Sequence, residues 1–219
     1  MRRVHLLNRS LGFYKISFMD YLDVICLTET WLNESIMDHE ILPTAYNIYR
    51  CDCVGRIGGG VMTAVKSTLS STLHEVPLEF SSLEMVVVEI SNLKYDRIVF
   101  LINCYRPPDN YQQFIQQFTG FLRSLDFGHH YSVIVVGDFN FPGIQWIEGS
   151  GFASSGDDSS FANLLMDFYL FQSVEQPIRG NNILDLVLTN TPSFMSEPKT
   201  GPQFRDSGLS LNGSFSCLL

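Results

Sequence analysis

Four short strings hold the polar residues best placed to do chemistry. They are Thr28-Glu29-Thr30-Trp31, Cys104-Tyr105-Arg106-Pro107-Pro108, Gly137-Asp138-Phe139-Asn140 and Leu184-Asp185-Leu186-Val187-Leu188. In the first three, the polar side chain stands just past the C-terminal end of an apolar run. Carboxylates in such places can bind a hard cation through oxygen, and a cation so held can grip phosphate. Asp185 differs, because it stands inside an apolar run. A lone carboxylate in a buried strand costs on the order of several kcal/mol, so Asp185 requires a donor, a cation or an opening to water.

Each residue also has a plainer reading. Glu29 fits a cap for a helix begun at Thr30, and Tyr105 before two prolines fits an aromatic packed at a turn. Gly, Asp and Asn all favour turns, so Gly137–Asn140 is compatible with an ordinary one. Gly58-Gly59-Gly60 lacks the spacing and the Lys of a phosphate-cradling loop and reads as a turn. Cys51-Asp52-Cys53 has the form of half a metal site, but no second Cys or His pair has matching spacing, and His129-His130 reads as a solvated loop. Singly, none of these decides a function.

The elements that must position these residues alternate between strand and helix. Val4–Leu7 and Asp23–Leu27 are apolar runs, the second uninterrupted, as in a strand buried on both faces. Tyr14–Tyr21 reads as a weak helix. Tyr46–Arg50 and Val61–Val65 flank the glycine turn, and Met85–Ile90 with Arg97–Asn103 reads as a hairpin. In Tyr111–Leu125, Phe114, Phe118, Phe121, Leu122 and Leu125 recur at helical spacing. Ser132–Val136 is a further buried strand, Asp157–Ser160 offers a cap for a helix through Phe168, and Ile183–Thr189 is the last strand. The sum is one mixed α/β domain over 1–192. From 193 to 219, Ser, Gly and Pro recur without hydrophobic periodicity, which predicts a poorly ordered tail.

Composition narrows the function class. Of 219 residues, 45% are hydrophobic and 17% charged, enough apolar material for a core and too little charge for a disordered chain. The net charge is −9, which argues against a simple basic nucleic-acid binder. No apolar run approaches the ~18–20 residues of a membrane span, and the N-terminus turns polar too early for a signal peptide. Five cysteines in this pattern read as reduced intracellular thiols.

Taken in order, Asn8, Glu29 before Thr30-Trp31, Tyr105-Arg106-Pro107-Pro108, Gly137-Asp138-Phe139-Asn140 and Leu184-Asp185-Leu186-Val187-Leu188-Thr189-Asn190 resemble one family. It is the endonuclease/exonuclease/phosphatase superfamily, and within it the apurinic-type endonuclease domain of LINE-like (non-LTR) retrotransposons. The resemblance runs from about Val4 to Pro192. It implies a four-layered α/β sandwich, with two mixed sheets face to face, helices outside and the site at one rim. It also implies hydrolysis of DNA phosphodiester bonds with a divalent metal, normally Mg²⁺ with Mn²⁺ as an alternative. By the resemblance, Glu29 ligates the metal, Asp138 orients or deprotonates the attacking water, and Asn140 holds water or phosphate. Tyr105 donates to the phosphate, Asn8 lies behind the metal or contacts phosphate, and Asp185 orients a histidine.

That histidine belongs to a terminal Ser-Asp-His motif, and here no histidine follows His130. The tail offers only Arg205-Asp206-Ser207-Gly208, and no β-branched strand follows it. The expectation is a sheet that lacks its last strand and exposes an edge, and an Asp185 left without its imidazole. Loss of such a group costs roughly 10²–10⁴-fold in rate. Cations for gripping DNA are scattered over Lys15, Arg50, Arg56, Lys66, Arg106 and Arg179. Three functions are therefore in competition: a DNA-nicking endonuclease domain, a catalytically dead retroelement remnant, and a same-fold phosphatase or phosphodiesterase. DNA is the expected partner, with a reverse transcriptase domain in a full-length element. The expected location is nucleus or cytoplasm.

Overall fold

A computed structural model describes residues 3–8, 22–55, 58–91, 93, 98–109, 111–125, 131–174, 182–195, 199–200, 205–206, 209–210 and 214–218. The strands in chain order are β1 (Arg3–Asn8), β2 (Val24–Thr28), β3 (Tyr46–Cys51), β4 (Val61–Lys66), β5 (Ser70–Leu73), β6 (Glu84–Ser91), β7 (Ile98–Tyr105) and β8 (Tyr131–Asp138). Then come β9 (Gln145–Ile147), β10 (Ser150–Phe152), β11 (Phe171–Gln172), β12 (Asp185–Thr189), β13 (Lys199–Thr200), β14 (Arg205–Asp206), β15 (Leu209–Ser210) and β16 (Ser214–Leu218). The helices are α1 (Asp38–Ile41), α2 (Tyr111–Ser124) and α3 (Gly156–Asp167).

All five residues of β2 are buried, and burial on both faces requires a layer on each side. The first sheet has the order β13-β16-β1-β2-β4-β3, and the second has β11-β12-β8-β7-β6-β5. Both are mixed, with parallel pairing at β1–β2 and β7–β8 and antiparallel pairing elsewhere. Side chains alternate along a strand, so each sheet divides its residues between two cores. Val24, Cys26, Val61 and Val65 meet Val86, Val88, Leu101, Tyr105, Val136 and Val187 between the sheets. Their strand neighbours Val87, Ile102, Cys104, Val135 and Leu186 face outward onto the helices. There α2 buries Phe114, Phe118, Phe121 and Leu122, one stripe at helical spacing, and α3 adds Phe161, Leu164 and Leu165. On the far side of the first sheet, Ile25, Leu27, Met62 and Ala64 are covered by Leu32 and Leu42. The chain is thus an α/β sandwich of two facing sheets with helices outside.

Two expectations need correction. The first sheet does not lack its last strand, because β16 pairs antiparallel with β1 from Arg3↔Leu218 to Leu7↔Ser214. Ser214-Phe215-Ser216-Cys217-Leu218 alternates polar and apolar residues, a short period-two pattern hidden among glycines and serines. What recruits it is the open backbone edge of β1, which composition does not report. The cap of α3 is Ser155 and not Asp157, so Asp157 and Asp158 lie in the first turn, where carboxylates suit the helix dipole. The helix read at Tyr14–Tyr21 and the pair His129-His130 lie outside the described residues. Among the described residues, no helix is long and apolar enough to cross a membrane.

Candidate active site

Strand register assembles the site. Tyr105 is the parallel neighbour of Asp138, and Asp138 stands opposite Asp185 on the antiparallel β12. On the other side Glu84 stands opposite Tyr105. Residues in register share a face, so Glu84, Tyr105, Asp138 and Asp185 form one row across β6, β7, β8 and β12. That face looks toward the first sheet, since Tyr105 packs with Val136 and Val187 between the sheets. On the first sheet, Asn8 ends β1 in register with Thr28, and Glu29 follows directly. The Tyr105 hydroxyl donates to Glu29 Oε1 at 3.0 Å and spans the two sheets at their rim. Asp138 and Asp185 are buried, at 0% and 2% exposure. Two carboxyl groups directly opposite on a sheet are an unusual pairing for buried positions, so the fold gathers acidic side chains here.

The Glu29 segment is held by backbone. Glu29 and Trp31 adopt φ of 52° and 55°, a left-handed conformation costing on the order of 1–3 kcal/mol per residue. The glycine turn compensates: Thr30 N–H donates to Gly60 O at 3.2 Å and Trp31 N–H to Gly59 O at 3.0 Å. Gly60 N–H in turn donates to Glu84 Oε2 at 2.7 Å, which ties the turn to the second sheet. Gly60 has φ +81°, and a Cβ there would stand 2.8 Å from Thr30 Oγ1. No helix begins at Thr30, where the next helix starts at Asp38, so the capping reading of Glu29 is replaced by this clamp. The glycines are a turn, as expected; sequence reasoning missed that they position Glu29.

The Gly137–Asn140 segment is anchored by alternation. Phe139 and Phe141 are buried in the aromatic cluster under α2 and α3, with Phe141 stacked on Phe161 at 4.2 Å between ring centroids. Asp138 and Asn140 therefore point away from that cluster. Gly137 has φ +145°, and a Cβ there would stand 1.7 Å from Cys104 O, so no other residue fits. Asn140, at φ 52°, donates from Nδ2 to Arg106 O at 2.9 Å.

Arg106 corrects a sequence expectation. It is not a surface grip for DNA but fully buried, donating to the carbonyl oxygens of Phe139, Asn140 and Pro107. Its guanidinium also lies 3.9 Å from the Tyr111 ring centroid and 4.4 Å from that of Phe141. The planar fork thus locks the Tyr105 loop to the Asp138 loop. Arg50 is likewise committed, to Asp52, Asp38 and the carbonyls of Ile36 and Asn33. Lys15, Arg56 and Arg179 lie outside the described residues.

Asn103 is a second residue that sequence reasoning passed over. Its amide donates to Leu27 O at 3.1 Å and Met62 O at 2.9 Å, which pins the sheets together just below the rim. The available signal was the same as for Asp185, a polar residue inside an apolar run. Among the described residues, Cys26, Cys51, Cys53 and Cys104 are thiols that form no disulfide with one another. Burial pushes the Cys104 thiol far up, and burial together with the Asp52 charge raises Cys51, so neither is poised as a nucleophile.

Among the described residues no group of three His, Cys, Asp or Glu side chains could enclose a metal. The half-buried Glu29 carboxylate suits a different kind of site. Mg²⁺ keeps several waters and takes only one or two protein carboxylates alongside substrate phosphate, and the oxygen-only chemistry of Glu29 fits that demand.

Residues 99–207 match the family described as endonuclease-reverse transcriptase. No curated protein matches the sequence. Among solved structures, the endonuclease domain of TRAS1, a telomere-specific non-LTR retrotransposon, aligns with a TM-score of 0.70 at 14% identity, over 99% of this chain and 96% of that one. The AP endonuclease LMAP from Leishmania major gives 0.71 at 16% identity, over 99% and 87%. The 3'-5' exonuclease NExo from Neisseria meningitidis gives 0.70 at 14%, over 99% and 98%. At these identities the likeness is one of fold.

Proposed function

We propose that this chain, whose fold is that of the endonuclease/exonuclease/phosphatase superfamily, is a divalent-metal-dependent domain that hydrolyses DNA phosphodiester bonds, of the kind that nicks target sites for non-LTR retrotransposons. The observation that carries the reading is the contact of Tyr105 with Glu29 at a rim where Asp138 stands beside Tyr105 in register. Three of the four strings singled out in the sequence meet there. The match to an endonuclease-reverse transcriptase family supports the substrate class.

In this reading Glu29 holds Mg²⁺ or Mn²⁺, which when bound supplies Lewis-acid stabilisation of phosphate charge. Tyr105 donates its single O–H to the Glu29 carboxylate before substrate binds and turns it to a phosphate oxygen as charge builds. Asp138 takes the proton of the attacking water, at a site walled by both sheets. Asn140 uses one amide N–H to fix its loop on Arg106 O and turns its remaining amide capacity to water or phosphate. Asp185 stands directly across from Asp138 on the neighbouring strand and adds a second carboxyl group to the same row. Asn8, at the end of β1, lies on the same rim behind Glu29.

The test is nicking of supercoiled plasmid with Mg²⁺, with Glu29→Ala and Asp138→Ala as controls. Nicking that both substitutions and chelation abolish supports the reading; a folded protein that leaves the plasmid intact overturns it. One sequence observation favours a second reading, a folded remnant without catalysis: no histidine follows His130. DNA binding without cleavage, under every metal tried, is the outcome that selects it. A 3'-phosphorylated oligonucleotide belongs in the same assay, because a 3' phosphatase from Neisseria shares this fold.

A further inference from the structure

Trp31 stands two residues after Glu29 and is 50% exposed, although its backbone is held at φ 55° and clamped by Gly59. A Cβ built on Gly58 would stand 3.7 Å from the indole Cε2 and Nε1, so the ring lies against a residue without a side chain. One part of the indole is backed by glycine backbone, and half of the residue is open to solvent two positions along the chain from Glu29. The chain also needs a source of DNA affinity other than charge. Its net charge is −9, and Arg50 and Arg106 are bound to groups of their own fold. Two of the described cations are thus already engaged, and stacking on an aromatic face is a contribution to affinity that does not depend on phosphate neutralisation.

We infer that Trp31 is a stacking platform for an unpaired nucleobase next to the cleavage rim. This rests on the reading of the chain as a DNA nuclease. An indole can offer a base its flat face whatever the base identity, so the contact supplies affinity and placement, with little sequence preference. The glycine turn gives the indole a fixed backing, through the Gly58 contact and the Trp31 N–H bond to Gly59 O.

The test uses the full chain with chelator present, so that no cleavage occurs. Only two tryptophans exist, and the indole Nε1 of Trp146 is buried, so Trp146→Phe leaves Trp31 as the sole reporter. A single-stranded 12-mer should quench Trp31 emission, and Trp31→Ala should weaken binding by anisotropy about tenfold, with Trp31→Phe within about threefold of the parent. An oligomer of abasic residues should bind the parent and Trp31→Ala equally, since it has phosphates and no bases. Circular dichroism establishes that each variant is folded. DNA binding that leaves Trp31 emission unchanged and is the same in Trp31→Ala overturns the inference and leaves the nuclease reading in place. A folded parent that binds no DNA removes both.

Discussion

The Tyr105 hydroxyl donates to Glu29 Oε1 at 3.0 Å, joining residues 76 positions apart and ending strands of two different sheets. The contact ties the two sheets at the rim where the Glu29, Tyr105 and Asp138 strings come together. It also makes the carboxylate and the phenol a single hydrogen-bonded unit.

Tyr105→Phe keeps the ring in the inter-sheet core and removes only the hydroxyl. Loss of one positioned donor lowers nicking by about 10²–10³-fold with little change in thermal stability. A drop in melting temperature that accounts for the lost activity would assign Tyr105 a packing role instead.

Glu84 holds the glycine turn that holds Glu29. Glu84→Ala is expected to raise the Mg²⁺ concentration needed for half-maximal nicking by roughly 10-fold or more, as removal of support behind a ligand does. Glu84→Gln keeps an oxygen acceptor for Gly60 N–H and should recover most of that loss. Equal defects in both variants would point to charge, not to positioning.

Arg106 satisfies three carbonyl oxygens and faces two aromatic rings inside the fold. Arg106→Ala strands those carbonyls and should cost about 3 kcal/mol or more in urea denaturation. Arg106→Lys restores the charge without the planar fork and should recover only part. DNA affinity that falls while stability is unchanged would return Arg106 to the surface role that the sequence suggested.

Gly137→Ala places a methyl 1.7 Å from Cys104 O in a backbone conformation that L side chains avoid. The expected cost is more than about 2 kcal/mol, or no folded protein at all. A variant of parental stability, by calorimetry, would mean that β7 and β8 can part without consequence.

Stability should fall at alkaline pH. Burial raises the Cys104 and Cys51 thiols in the folded chain above their ordinary value of 9.0. Below 9.0 folded and unfolded chains hold these protons alike. Above it the unfolded chain releases them first, so unfolding gains about 1.4 kcal/mol per pH unit for each thiol while only the unfolded form titrates. Cys104→Ala should flatten the decline between pH 9 and 10.5, measured by urea midpoints. An unchanged slope would place the titration elsewhere.

The sequence by itself determined the buried central strands and the long amphipathic helix, the strings that carry the polar residues, and their resemblance to one superfamily. It could do so because apolar periodicity is local: β2, β8 and α2 write their burial into consecutive residues. Tertiary structure decided which polar residues meet and what each one does there. Nothing near Arg106 in the chain foretells a buried guanidinium, because its acceptors Phe139 and Asn140 arrive 33 and 34 residues later. Register alone sets Asp138 between Tyr105 and Asp185, and the open edge of β1 recruits β16 from a tail without strong strand propensity. Backbone pairing carries no side-chain signature, so these relationships exist only once the sheets are formed.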